Sequence, residues 1–176
     1  KALRAGYYFK PEAKGSEHLQ DIFDIRNSSP TRMDVAIPEY WKRPASQPTN
    51  NKGLCGWHGE LFFGVFLGNA MVAYTTLYLF GEIAQFNQIL GHAEHLSNGV
   101  MNLLVRSVIE QLRLTHPQVR AINYLYPDAK YTLGRFKRGI GALPCRTGTT
   151  RALPETARAI ERLWPVEVAP VAASRH

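Results

Sequence analysis

The run Gly91-His92-Ala93-Glu94-His95 is the densest group of titratable side chains in the chain. An imidazole with an ordinary pKa of about 6.5 exchanges protons at neutral pH. His92 is therefore the first candidate for a general base, with Glu94 to orient it and His95 as the alternative. The plainer reading is a solvated loop. His92 and His95 are three apart, which is not the HExxH spacing, and no cysteine stands near them, so no metal is expected. Glu82 follows Gly81 at the head of an apolar run, either as a base or as a turn residue. Gln85 and Asn87 alternate within that run, so as strand residues they share one face, with Gln88 just beyond. Lys130, Arg135, Lys137, Arg138, Arg146 and Arg151 form a basic group with no acid between Asp128 and Glu155. Such a group holds a phosphate or an RNA backbone, or simply faces water. No helix-turn-helix or RNA-recognition signature accompanies it.

The elements that would position these groups come next. The chain has 176 residues, 45% hydrophobic and 20% charged, which excludes a fully disordered or fibrous protein. One domain over 1–164 with a loose tail over 165–176 is expected. The net charge of +7 draws the chain toward polyanions. Cys55 and Cys145 form no CxxC pair and read as reduced thiols of a cytoplasmic protein. Leu61–Phe80 is uncharged, but Gly64, Gly68 and Asn69 interrupt it and strand formers fill it. A hairpin turning at Gly68-Asn69 explains it better than a membrane helix, and no membrane span is expected.

Ala2–Phe9 reads as a first strand. A helix capped by Ser16 follows, with Leu19, Ile22, Phe23 and Ile25 on its apolar side. The proline-punctuated stretch up to Gly53 is irregular, apart from a helical turn over Glu39–Lys42. Strands over Leu54–Leu67, Ala70–Phe80 and Ile83–Leu90 follow, with Trp57 in the core and His58 a lesser catalytic candidate. After a loop, Asn98–Leu114 is a helix with Val100, Leu103, Leu104, Val108 and Leu112 at helical spacing. Val119–Tyr126 is a strand, and a helix from Pro127-Asp128 to about Arg138 ends at Gly139-Ile140-Gly141. A closing strand over Leu143–Thr150 and a helix over Pro154–Trp164 complete the expectation.

This order, together with Tyr131-Thr-Leu-Gly-Arg-Phe-Lys-Arg-Gly-Ile-Gly-Ala142, resembles the GNAT acyltransferase superfamily over about residues 3–150. Phe136-Lys137 followed by Gly141 is also similar to the ending of the FemAB-like branch. The resemblance implies an α/β (α+β) fold with a mixed, largely antiparallel central sheet flanked by helices. It implies an N-acyltransferase that takes an acyl group from acetyl-CoA or another acyl-CoA, or a carrier-protein thioester, and delivers it to a small-molecule or peptide amine.

The resemblance also assigns residues. A family carboxylate base falls near Glu82, and the family's leaving-group tyrosine falls on Lys137, with Tyr126 and Tyr131 as substitutes and Tyr124 nearby. The pyrophosphate loop falls on His95, Ser97, Asn98, Gly99 and Val100, with Arg135 and Lys137 toward the CoA phosphate. Leu96 stands where Gln or Arg is usual, and Met101 where a small residue is usual. Tyr40, Trp41 and Arg43 are placed to meet the acceptor. Two alternatives remain: a FemAB-like transferase using aminoacyl-tRNA, with RNA as partner, and a binding module that kept the fold without catalysis.

Overall fold

In the computed structural model, residues 1–11, 18–32, 35–44, 57–124 and 131–142 are described. β1 (Tyr7–Lys10), β4 (His58–Leu67), β5 (Ala70–Phe80), β6 (Ile83–Gly91) and β7 (Ala121–Asn123) form one sheet in the order β1-β4-β5-β6-β7. Every pairing is antiparallel except β6 with β7. β2 (Thr31–Arg32) and β3 (Val35–Ala36) make a separate two-stranded ribbon. All described residues fall in one compact unit, Lys1–Leu143.

Alternation sorts the sheet into two faces. Tyr7, Phe63, Val65, Ala73, Leu77, Leu79, Ala84 and Phe86 bury one face under α2 (Val100–Thr115). Phe62, Phe66, Met71 and Tyr74 bury the other against Ile22 and Ile25 of α1 (Leu19–Asn27). The buried positions of α2, Val100, Leu104, Val105, Val108 and Leu112, keep the helical period. Each such apolar side chain contributes about 1.5–3 kcal/mol on burial. α3 (Tyr131–Gly139) brings Phe136 against the α2 side of the core. It ends in a Schellman motif: Ala142 N–H donates to Lys137 O (2.9 Å), Gly141 N–H to Arg138 O (3.0 Å), and Gly141 takes φ +84°.

Several expected boundaries shift. The first strand starts at Tyr7, because Ala5 N–H donates to Ala2 O at 2.9 Å and closes a 3-10 turn over Leu3–Ala5. The loop after β6 is itself a 3-10 helix, Ala93–Asn98. Trp57, expected in the core, is 50% exposed, because it precedes β4 at the sheet's end, where its carbonyl only accepts from Gly81 N–H. The expected helical turn over Glu39–Lys42 is present, as a 3-10 helix. Ser16, Cys55, Cys145, the closing strand and the last helix lie outside the described residues. Among the described residues, no helix is long and apolar enough to cross a membrane.

Candidate functional site

β6 and β7 pair only from Ile83–Ala121 to Gln85–Asn123. Beyond that point, Phe86–Gly91 has no parallel partner among the described residues. The register to β5 slips in the same stretch: Thr76 faces Gln88 while Leu77 faces Phe86. Asn87 is therefore the extra residue of a β-bulge, a device that interrupts the ladder and re-aims side chains. The Thr76 hydroxyl accepts from Gln88 N–H (3.2 Å) and from Asn87 Nδ2 (3.3 Å), and Asn87 Nδ2 also reaches the Tyr78 hydroxyl (3.1 Å). Among the described residues, an interior strand thus becomes a locally open edge with a bulge in it.

One wall of this opening is aromatic. Tyr124, just after β7, lies 5.0 Å from Phe86 and 6.3 Å from Phe136 between ring centroids. Lys137 Nζ sits 4.8 Å from the Tyr124 ring centroid. Of the expected proton donors, Lys137 is therefore at the opening. Tyr126 lies outside the described residues, and Tyr131 opens α3. Tyr124 is the phenol that the structure brings to this place.

The turn after β6 gathers the titratable cluster. His92, Glu94 and His95 each bring one donor atom within 4.8 Å of the others. His95 Nδ1 lies 2.8 Å from the Tyr7 hydroxyl, which also accepts from Asn98 Nδ2 at 2.9 Å. His92 Nδ1 is buried without a hydrogen-bond partner. Glu82 is not brought to this cluster. It lies at the other end of β6, 3.4 Å from Arg120 and exposed, roughly 30 Å away along a nine-residue strand. His58 is also exposed, at the start of β4.

The expected pyrophosphate loop has mixed chemistry. Gly99 takes φ +82°, a left-handed conformation that side chains resist, and a Cβ there would meet nothing within 4 Å. The space beside the Gly99 backbone is therefore open, as the approach of an anion requires. Val100, expected in this loop, is fully buried, backbone included, so it does not meet a ligand. Asn98 spends its amide on Tyr7, and Ser97 O accepts from Lys1 Nζ at 2.6 Å. Lys1 places a cation beside the loop where Leu96 supplies none. Leu96 and Met101 are packed against Gly91: a Cβ on Gly91 would meet Met101 Sδ at 2.7 Å and Leu96 Cδ2 at 2.8 Å. Gly99 leaves room beside its backbone and Lys1 adds a cation nearby, while Met101 and the exposed Leu96 lie against Gly91.

Arg135 lies elsewhere, in a groove of about 710 Å³ between α2 and α3 that Arg106, Arg113, Val105 and Phe136 also line. Arg138 is exposed. Lys130, Arg146 and Arg151 lie outside the described residues.

The opposite face of the opening carries groups that spacing alone did not single out. Arg26 Nε donates to the Tyr74 hydroxyl (3.0 Å), and Arg26 Nη2 and the Tyr74 hydroxyl reach Gln88 Oε1 (3.4 and 3.3 Å). Arg32 Nη1 donates to Gly91 O (3.2 Å), and Arg32 Nη2 to Ile25 O and Ser28 Oγ. Burial raises the Tyr74 pKa above its ordinary value and lowers that of Arg32.

The sequence matches no protein-family model and no curated protein. Its structure does have relatives. A Staphylococcus aureus protein described as a probable acetyltransferase aligns with TM-score 0.52 and 9% identity, over 84% of this chain and 98% of that one. An aminoglycoside acetyltransferase from an uncultured soil metagenomic sample aligns at 0.56 and 12%, over 86% and 99%. The chain has the GNAT fold. A transcriptional regulator from Bacillus halodurans C-125 also aligns, at TM-score 0.55 and 11% identity, over 84% of this chain and 99% of that one. Within this fold, the parting of β6 and β7, the bulge at Asn87 and the helix entry at Gly99 lie along one strand-to-helix path. The likeness to the FemAB-like branch rests on Phe136, Lys137 and Gly141 alone.

Proposed function

We propose that this protein is an N-acyltransferase that moves an acyl group from an acyl-CoA thioester to an amine. The observation that carries this reading is the opened sheet: among the described residues β6 has no parallel partner after Gln85, and the bulge at Asn87 falls in that stretch. When bound, acyl-CoA supplies an activated thioester carbonyl. The positive end of α2 at Gly99, with Lys1, opposes the pyrophosphate charge. Backbone N–H groups on the open edge of β6 polarise the carbonyl oxygen. Tyr124 donates the proton that the leaving thiolate needs, with the Lys137 ammonium held over its ring. His92, in the turn directly after β6, takes the proton from the amine. Holding amine and thioester together contributes much of the rate.

The second reading is a binding module, supported by Leu96 and Met101 packing into the loop that would grip pyrophosphate. Thermal unfolding with acetyl-CoA and with a long-chain acyl-CoA tests the proposal. A ligand at 100 times its dissociation constant stabilises the fold by about 2.7 kcal/mol. An upward shift with either supports a CoA site. No shift with either turns the reading to carrier-protein donors, aminoacyl-tRNA or the module.

A further inference from the structure

Two arginines stand on the α1 side of the open strand. Arg26 is half buried, and its guanidinium is committed to the Tyr74 hydroxyl and the Gln88 amide oxygen, both uncharged. Arg32 is also half buried, and its partners are two backbone carbonyls and a serine hydroxyl. Its Nε is buried with no hydrogen-bond partner, and Trp41 Nε1 is in the same condition. Asn27 Nδ2, one residue from Arg26, holds Trp41 O at 3.0 Å, so the Trp41 backbone lies at the C-terminal end of α1. No carboxylate pairs with either guanidinium among the described residues. Tyr74 supplies no countercharge, because burial keeps its phenol protonated. A guanidinium stays charged at any physiological pH. Withdrawing such a group from water without a counter-ion is unfavourable, and planar donor forks suit carboxylate and phosphate oxygens.

We infer that the acceptor is an amine that also carries a carboxylate or phosphate, bound by Arg26 and Arg32 beside Gln88. This rests on the transferase reading for the word acceptor, but the anion site stands on its own geometry. Arg26 reaches Gln88, the residue after the bulge, so an anion there places the rest of a small molecule along the open edge of β6. The same charges repel a polycationic amine, which separates this site from that of an aminoglycoside acetyltransferase.

Calorimetric binding to the full chain without acyl-CoA tests the inference, using phosphoethanolamine against ethanolamine, glycine against glycinamide, and kanamycin. Phosphoethanolamine and glycine are expected to bind at least tenfold tighter than their uncharged-tail partners, and kanamycin weakest. Arg26→Gln is expected to erase that preference. Nitrogen-detected NMR of the wild-type chain needs no variant: phosphoethanolamine is expected to move the Nε–H signals of Arg26 and Arg32. Equal binding within each pair, a preference for kanamycin, a preference that survives Arg26→Gln, or unmoved arginine signals would each overturn it. An anion preference in a chain that acetyl-CoA fails to stabilise supports this site and removes the transferase reading alone. Acetyl-CoA stabilisation with no anion preference removes this inference alone.

Discussion

The Tyr7 hydroxyl lies 2.8 Å from His95 Nδ1, joining residues 88 apart in sequence. It also accepts from Asn98 Nδ2, and the ring of Tyr7 is 4% exposed in the core under α2. One phenol thus fixes the turn that leads into α2 against the first strand. Tyr7→Phe keeps the ring and leaves His95 and Asn98 short of a partner. The expected loss is about 1–3 kcal/mol, read from the midpoint of urea unfolding. Acetyl-CoA affinity is expected to fall with it, because the loop before Gly99 loosens.

Gly91 is a matter of space. Gly91→Ala drives a methyl group into Met101 and Leu96, and crowding of this kind costs about 1–3 kcal/mol. Adding Met101→Ala vacates the closer contact. The double variant is expected to be more stable toward urea than additivity of the two single changes allows. Simple additivity would show that Met101 does not press on Gly91.

Gly99 is a matter of conformation, since a Cβ there meets nothing. Gly99→Ala is expected to cost about 1–2 kcal/mol for the left-handed backbone alone, and Gly99→Asn less. The new methyl also projects into the space in front of α2. Acetyl-CoA affinity, measured by calorimetry on the folded variant, is expected to fall for Ala and Asn alike, which separates occupancy of the site from stability.

Tyr74 sets an alkaline limit. Burial raises its pKa above the ordinary 10.0 of a phenol, against the opposing pull of Arg26. The raised folded value means that the unfolded chain loses this proton first as pH rises. The corresponding stability is fully present below pH 10 and declines as pH rises from there through the folded pKa. Thermal unfolding between neutral pH and pH 11 is expected to show a falling limb that Tyr74→Phe makes shallower.

Patterns that repeat locally were legible in the sequence. Gly68-Asn69 between two uncharged strand-forming runs fixes the hairpin of β4 and β5, and the apolar period from Val100 to Leu112 fixes α2. The histidine cluster at His92–His95 was legible because its members are neighbours in the chain. Features made by distant pairs were not. The Tyr7–His95 contact needs β1 to pair with β4 at the sheet's edge with Tyr7 on the α2 face. The bulge at Asn87 depends on register against β5, which a strand's own alternation does not encode. Arg26 and Arg32 sat among ordinary surface charges until α1 packed them over Tyr74 and Gly91. Trp57 was misjudged because a tryptophan's size argues for burial, while its place before β4 puts it at the sheet's end.

The most direct test is amine-dependent thiol release from acetyl-CoA, followed with a thiol reagent over a panel of anionic, neutral and cationic amines. The account predicts release that requires both acetyl-CoA and an amine, fastest with anionic amines, and lowered at least tenfold by Tyr124→Phe. Stabilisation by acetyl-CoA with no thiol release from any amine would contradict the transferase reading and leave a GNAT-fold binding module in its place.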